Sequence, residues 1–286
     1  MKSERSASNF RLREDLRRNG YCIVPDFLDE RRLASLQHIA AKARRKPVAA
    51  PRDRDAYTGH VTELGDMPDL ASLLCWARPF ALLRELGFTD PRWFMAFLMQ
   101  KPPGGLGLYW HQDWWGWSDP ISYQDAPPLL FLMVYLVDVT PANGCLRALP
   151  GTHISACDLH VSAPQDSYVD MGDGPGDGLF SLQQGEVDVP VRKGDLIVRD
   201  ARMLHATHPN HSPRWRPMIM ISVAPNFRSL PEPMRRTMEI KRPKLERRWP
   251  NESWDMVHDK MSVGPSAGDA LPIIRVPDFR LANHLS

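Results

Sequence analysis

A histidine and an aspartate stand two positions apart in Tyr109-Trp110-His111-Gln112-Asp113. Because side chains alternate across a β-strand, His111 and Asp113 would point to the same face. An imidazole and a carboxylate that converge in this way are two of the three ligands of the facial triad that holds non-haem Fe(II). That triad leaves coordination positions open for other molecules. The pattern alone is weak evidence, because an exposed polar turn has the same composition.

The third ligand has to come from a distant strand that packs alongside, and the segment from Asp200 to His208 offers one. The segment follows the apolar run Leu196-Ile197-Val198, which is typical of a buried strand. Two histidines qualify, His205 and His208, and both precede Pro209-Asn210. The residue types alone leave both histidines open as ligands.

An arginine, Arg216, opens the apolar strand Met218 to Val223 shortly beyond these histidines. A guanidinium at the base of a pocket suits a dicarboxylic acid, because it can bind a carboxylate through two parallel hydrogen bonds. Pro217 follows directly, at a first strand position where proline is tolerated. Arg214 therefore stays an alternative anchor for the carboxylate.

The rest of the chain places helices before short strands. Helical spacing of apolar residues predicts helices over 9–18, 29–44 and 68–86, with a kink or a break at Pro79. Tyr21 to Val24 reads as a buried strand, and 47–59 as an exposed loop. From residue 92 onward, short apolar runs alternate with Gly, Pro and Asp, which is typical of a β-sandwich or barrel.

We therefore predict one mainly β domain over 1–286 with flanking N-terminal helices. Its helical part covers about 1–90, its β core about 91–226 and its C-terminal extension about 227–286. The stretch Ser162 to Asp177 is rich in Gly, Pro and Asp, and we predict a long loop there. This loop and the tail after Asn226 are the expected places for lid and specificity residues.

The composition argues against several classes of function. The 286 residues are 43% hydrophobic and 24% charged, as in an ordinary globular protein. A formal charge of +2 is too small to predict a nucleic-acid or membrane-surface partner. The four cysteines include no C-x-x-C pair, so neither a disulfide scaffold nor a structural zinc site is expected. No secretory or membrane-spanning segment is visible, and a cytoplasmic location is expected.

Several stretches, taken in order, resemble the phytanoyl-CoA dioxygenase family of Fe(II)/2-oxoglutarate oxygenases. The resemblance spans about residues 10 to 225. It is carried by Asn19-Gly20-Tyr21-Cys22-Ile23-Val24-Pro25-Asp26-Phe27-Leu28, Lys101-Pro102-Pro103-Gly104, Trp110-His111-Gln112-Asp113, Asp138-Val139-Thr140-Pro141-Ala142-Asn143-Gly144-Cys145-Leu146, Leu149-Pro150-Gly151-Thr152-His153, Lys193-Gly194-Asp195 and Leu204-His205-Ala206-Thr207-His208-Pro209-Asn210-His211-Ser212.

The resemblance implies a double-stranded β-helix, a cupin-like jelly roll, behind N-terminal helices. It implies Fe(II) on His111, Asp113 and His205, with 2-oxoglutarate and O₂ as co-substrates. It further implies that Arg216 binds the distal carboxylate of 2-oxoglutarate, and that Thr207 and Lys101 contact the same molecule. On a strand, Thr207 would share the face of His205. The implied reaction releases succinate and CO₂ and hydroxylates an unactivated C–H bond.

Three tryptophans, Trp114, Trp115 and Trp117, follow the metal motif directly. They would either line an apolar substrate pocket or fill the core. The first interpretation and the near-neutral charge favour a small organic molecule as substrate, of the kind found in secondary metabolism. An isomerase or hydrolase on the same fold and a non-catalytic binding protein stay open as alternatives, and the sequence leaves the oligomeric state open.

Overall fold

Two antiparallel β-sheets lie at the centre of the molecule. The computed structural model describes residues 2–44, 55–162, 177–265 and 267–279. The strands within these ranges are β1 (Tyr21–Val24), β2 (His60–Glu63), β3 (Arg92–Lys101), β4 (Leu108–His111), β5 (Leu130–Tyr135), β6 (Leu146–Ala148), β7 (Val187–Val189), β8 (Leu196–Asp200), β9 (His205–Thr207) and β10 (Arg216–Ala224). The larger sheet has the order β1-β8-β5-β10-β3-β2, and the smaller sheet has the order β4-β9-β6-β7.

Strand β5 shows why the larger sheet lies in the interior. All six of its residues are buried, because both faces of the strand are covered. One face packs in the cluster formed with the helices, through Leu130, Leu132 and Val134. The other face packs in the cluster that also contains residues of the smaller sheet, through Phe131, Met133 and Tyr135. The layers are thus helices, larger sheet and smaller sheet, which is the double-stranded β-helix with flanking helices that the sequence predicts.

The helices within the described ranges are α1 (Lys2–Asn19), α2 (Glu30–Arg44), α3 (Asp55–Thr58), α4 (Ala71–Leu74), α5 (Ala77–Glu85), α6 (Leu159–Ser162), α7 (Glu232–Lys241) and α8 (Asn251–Val257). Helix α2 turns an apolar stripe at helical spacing toward the larger sheet, formed by Leu33, Leu36, Ile39 and Ala40. No helix in the described part of the chain is long and apolar enough to cross a bilayer.

The helix predicted over 68–86 is interrupted, but not at Pro79. The break falls at Cys75 and Trp76, between α4 and α5. Pro79 lies in the first turn of α5, where an N–H group has no acceptor within the helix. The proline therefore costs no helical hydrogen bond at this place, and the predicted position of the break is wrong.

The N-terminal part also supplies both edge strands of the larger sheet, β1 and β2. The predicted bounds of β1 are confirmed, but the strand is only partly buried: Cys22 is buried, and Tyr21, Ile23 and Val24 are half-buried. Strand β2 was missed, because His60-Val61-Thr62-Glu63 is polar and follows a stretch that reads as an exposed loop. Such a short, half-polar strand is typical of a sheet edge.

The part of the chain after Asn226 forms helices and an extended end. Helices α7 and α8 are followed by residues that run beside the metal motif, where Ile274 forms an isolated bridge with Gly116. The predicted loop from Ser162 to Asp177 lies, apart from its two end residues, outside the described residues. The division of 1–286 into one domain with three parts stays a prediction.

Candidate metal and co-substrate site

His111, Asp113 and His205 converge at one end of the smaller sheet. Strands β4 and β9 are antiparallel neighbours, and their register sets His111 directly opposite His205. The two imidazole rings lie 4.1 Å apart between centroids. The carboxylate oxygens of Asp113 lie 3.9 Å from Nε2 of His111 and 3.5 Å from Nε2 of His205. One metal ion can therefore be reached by all three side chains.

Asp113 reaches the cluster in a way that differs from the prediction. Strand β4 ends at His111, so Asp113 lies beyond the strand and the alternation of side chains along a strand does not place it. The chain beyond it is held to the residue that follows β8, because the N–H groups of Asp113 and Trp114 both donate to the carbonyl of Ala201, at 3.0 and 3.1 Å. The carboxylate still converges with the imidazoles.

The imidazoles present the nitrogens that a metal needs. Nδ1 of His111 lies 2.9 Å from the carbonyl oxygen of Tyr109, and Nδ1 of His205 lies 3.1 Å from that of Met203. Because a carbonyl only accepts, Nδ1 of His111 carries the hydrogen, and its Nε2 keeps its lone pair on the side of Asp113. Nδ1 of His205 has two neighbours, the carbonyl of Met203 and Nη1 of Arg199 at 3.2 Å, and the contact with the carbonyl is the one that leaves Nε2 available to a metal. Burial, and then the positive charge of Arg199, lower the pKa of His205 well below its ordinary value. Both features keep the ring neutral, as a metal ligand has to be.

Arg199 on β8 holds the carboxylate of Asp113. Its side chain is fully buried, and Nη2 donates to Oδ2 of Asp113 at 2.5 Å. Burial alone would raise the pKa of Asp113. The guanidinium of Arg199 and the two imidazoles outweigh that effect and hold the pKa below its ordinary value, so the carboxylate stays ionised. Nη1 of Arg199 lies 3.2 Å from Nδ1 of His205, and the guanidinium stacks 4.8 Å above the ring of Phe131.

Sequence reasoning missed Arg199. The available signal was a single charged side chain after the apolar run of β8. A charged residue there faces solvent in most sheets, and only the register with Phe131 of β5 shows that it points inward.

Arg216 lies at the other side of the site, opposite Lys101 in the pairing of β10 with β3. It is 3% exposed, and its guanidinium stands 5.3 Å from the ring of Tyr135. Within the described residues, Nε of Arg216 and the hydroxyl of Tyr135 are buried without a hydrogen-bond partner. Burial raises the pKa of Tyr135, so the phenol keeps its proton. Two buried donors without acceptors fit a carboxylate that arrives with a ligand.

The alternative anchor Arg214 lies elsewhere. It is exposed, while Arg216 is buried next to Tyr135. Tyr135 was not predicted as a site residue, because an aromatic residue at the end of an apolar strand cannot be told from a core residue.

Lys101 and Thr207 lie between Arg216 and the triad, and a hydrogen bond joins them. Nζ of Lys101 donates to the hydroxyl of Thr207 at 2.7 Å and to the carbonyls of Leu106 and His208 at 2.7 and 3.0 Å. The same hydroxyl accepts from the N–H of Leu108 at 3.1 Å, so its own hydrogen is left to donate. Burial, and then the charge of Arg216, lower the pKa of Lys101 well below its ordinary value. An anion beside these two cations would relieve that repulsion.

His208, the alternative metal ligand, belongs to a different group. Its Nε2 lies 2.5 Å from Oδ1 of Asp188, and Cys145 is the third member. His205 is the histidine that joins His111 and Asp113.

The three tryptophans after the metal motif are packed in the core between the sheets. The rings of Trp114 and Trp115 are in tilted contact, with centroids 5.0 Å apart, and Trp114 donates its indole N–H to the hydroxyl of Ser122 at 2.8 Å. Trp117 contacts Tyr123. All three are at most 4% exposed, so a contact between them and a substrate stays a prediction.

Comparison with known proteins decides the family. The family model described as phytanoyl-CoA dioxygenase matches residues 16–218. This chain belongs to the phytanoyl-CoA dioxygenase family. It is accordingly a 2-oxoglutarate-dependent non-haem iron dioxygenase, with Fe(II) as its metal and with 2-oxoglutarate and O₂ as co-substrates.

The relatives within this family are distant. An ectoine dioxygenase of Sphingopyxis alaskensis is 26% identical over 216 residues, which is 68% of this chain and 69% of that protein. Phytanoyl-CoA dioxygenase 1 of Oryza sativa subsp. japonica is 28% identical over 153 residues, 50% of this chain and 48% of the rice protein. The crystal structure of the epimerase SnoN with Fe³⁺, α-ketoglutarate and nogalamycin RO has a TM-score of 0.57 at 24% identity, covering 76% of this chain and 84% of SnoN. That last likeness shows the shared fold.

Proposed function

We propose that this enzyme hydroxylates an unactivated C–H bond of a small organic molecule and releases succinate and CO₂. In this proposal His111, Asp113 and His205 hold Fe(II), and Arg216 binds the distal carboxylate of 2-oxoglutarate. The observation that carries it is the convergence of the three ligands next to two buried cations, Lys101 and Arg216. When bound, the metal supplies a Lewis-acid centre with open positions for a keto acid and for O₂.

The protein's own residues orient these molecules. The backbone carbonyl of Tyr109 fixes which nitrogen the imidazole of His111 presents, and the carbonyl of Met203 accepts from Nδ1 of His205 when that ring binds a metal through Nε2. Arg199 occupies one oxygen of Asp113 and so limits how the carboxylate turns toward a metal. The guanidinium of Arg216 and the hydroxyl of Tyr135 are both donors, which suits the far carboxylate of a dicarboxylic acid.

A small organic substrate is supported by what the relatives and neighbours act on. An ectoine dioxygenase is among the relatives, and SnoN was crystallised with nogalamycin RO. Related neighbours are described as an epimerase and a carbocyclase, so the outcome of the oxidation has to be measured directly.

The test is an anaerobic titration of the purified protein with Fe(II) and 2-oxoglutarate. We expect the weak visible charge-transfer band of a keto acid bound to Fe(II). The band should disappear in His205→Ala and persist in the matched variant His208→Ala, whose side chain pairs with Asp188 instead. An iron-loaded protein without the band, or a band that survives in His205→Ala, would exclude the proposed ligand set.

A further inference from the structure

The C-terminal residues 271–279, here called the C-terminal strap, run beside the metal motif and are anchored along their length. At one end, the N–H of Leu271 donates to the carbonyl of Pro233 at 3.1 Å. In the middle, the N–H of Ile274 donates to the carbonyl of Trp115 at 2.9 Å, and the carbonyl of Ile274 accepts from the N–H of Trp117 at 3.2 Å. The strap is therefore a fixed wall next to the triad.

The far end of the strap is anchored as well. The N–H of Asp278 donates to the hydroxyl of Tyr123 at 2.8 Å. Phe279 packs against Trp117, with ring centroids 5.7 Å apart, and against His160, with centroids 5.3 Å apart. Anchors on both sides of residue 275 give its side chain a defined place.

Arg275 is the residue of the strap that meets the metal motif. Its backbone carbonyl accepts from Nε2 of Gln112 at 2.6 Å, and its Nη1 lies 3.4 Å from the backbone oxygen of Asp113. The half-buried side chain is thus set beside the ligand pair His111 and Asp113.

The chemistry of the metal and co-substrate does not call for this cation. Asp113 is already paired with Arg199, and Arg216 stands ready for the distal carboxylate. Arg275 lies beside the triad and stands outside both of these assignments.

We infer that Arg275 recognises an oxyanion, a carboxylate or a phosphate, on the molecule that this enzyme oxidises. A guanidinium fork matches either group through two parallel hydrogen bonds. Arg275 keeps intramolecular contacts of its own, and the oxyanion would add to them or replace them. With the oxyanion fixed on the strap, the carbon chain of the substrate would extend toward the metal. The inference rests on the proposed function and narrows its substrate class to organic acids and phosphate esters.

The test uses the full-length protein loaded with Ni(II), which binds the same ligand types, and saturated with 2-oxoglutarate so that Arg216 is occupied. Calorimetric titrations would compare three probes of equal chain length: hexanoate, hexyl phosphate and neutral hexanamide. We expect wild type to bind at least one oxyanion probe and to bind the amide at least tenfold more weakly. Arg275→Gln should weaken the oxyanion about tenfold, while Arg228→Gln, a variant of an exposed arginine paired with Asp90, should not.

Several outcomes would overturn the inference. They are wild type binding neither oxyanion, wild type binding the amide equally well, or Arg275→Gln retaining full oxyanion affinity. A tenfold loss of 2-oxoglutarate affinity in Arg275→Gln would also overturn it, because the residue would then act on the co-substrate. If Arg275→Gln fails to fold, Arg275→Lys keeps the charge, and it has to keep the preference for acid over amide. Failure of 2-oxoglutarate to bind wild type would instead count against the proposed function.

Discussion

The proposed site has two ends, the triad (here the metal end) and Lys101 with Arg216 (here the co-substrate end), and they differ in how their charges are balanced. At the metal end, the carboxylate of Asp113 is paired with the buried guanidinium of Arg199. At the co-substrate end, Lys101 and Arg216 lie on neighbouring strands, and within the described ranges no carboxylate forms an ion pair with either. The metal end is therefore arranged by folding alone, whereas the co-substrate end lacks its anion until one binds.

Because of this difference, we expect a substitution at the metal end to change the stability of the folded protein and a substitution at the co-substrate end to change ligand affinity. Removing a partner at the metal end leaves a partly buried charge alone, so the cost appears in the stability of the folded protein. Removing a cation at the co-substrate end relieves repulsion in the free protein, so the cost appears in binding. Stability and 2-oxoglutarate affinity, measured on the same variants, test this difference between the two ends.

Arg216→Ala should have the largest effect, on the affinity for 2-oxoglutarate. Loss of a buried, charge-assisted contact costs roughly 3 kcal/mol, which is about a 100-fold rise in Kd. Calorimetric titration of the Ni(II)-loaded protein measures it. Arg214→Ala, two residues away and exposed, should change the Kd by less than about twofold. If Arg214→Ala weakened binding more than Arg216→Ala, the anchor would have been assigned to the wrong arginine.

Arg199→Met should destabilise the metal-free protein by about 3 kcal/mol at pH 7, because Asp113 loses the partner that holds its pKa low. A carboxyl group whose folded-state pKa is lowered stabilises the fold above the pKa of the unfolded chain, which is about 4, and loses that stabilisation as the pH falls toward the folded-state pKa. Asp113 titrates alike in both unfolded chains, so the difference between wild type and variant shrinks as the pH falls through the folded-state pKa that Asp113 has in the variant. Because burial without the guanidinium of Arg199 raises that pKa, the difference should begin to shrink above about pH 4 and should keep shrinking as the pH falls further. Denaturant unfolding along this pH series measures it.

A second arginine provides the matched control for Arg199. Arg202 is equally buried and is paired with Asp200 at 2.6 Å, but it does not contact the triad. Arg202→Met should also destabilise the fold. Ni(II) should restore stability selectively in Arg199→Met, since a metal can replace the lost cation next to Asp113. Equal recovery of the two variants would show that Arg199 has no particular relation to the metal end.

The sequence indicated the parts of this site that depend on residue type and spacing. Residue type and spacing predicted His111 and Asp113 as two ligands, but they left His205 and His208 open as the third ligand and Arg216 and Arg214 open as the anchor. The resemblance to the family favoured His205 and Arg216. The role of Arg199 depends on which face of β8 turns inward, and the role of Tyr135 depends on what lies across from it. Both are set by sheet register, which no local pattern contains.

The fold shows the same limit. Apolar runs predicted the strands of the core and the helical stripe of α2, because burial on one face leaves a period in the sequence. Strand β2 lacks such a period, since it is a half-exposed edge. The C-terminal strap lacks one too, because its backbone hydrogen bonds with Trp115 and Trp117 leave no trace in the sequence and only its two ends, Leu271 and Phe279, pack against the core cluster.

Thr207→Val should have the smallest of these effects, about a tenfold rise in the Kd for 2-oxoglutarate. The change keeps the volume but removes a hydroxyl that accepts from Lys101 and Leu108 and can donate onward. A lost hydrogen bond of this kind costs roughly 1 to 1.5 kcal/mol. Thr207→Ser keeps the hydroxyl and should stay within about threefold of wild type. If serine were as damaging as valine, the methyl group would be what matters at this position. If neither change altered the Kd, Thr207 would connect the two ends of the site without touching the co-substrate.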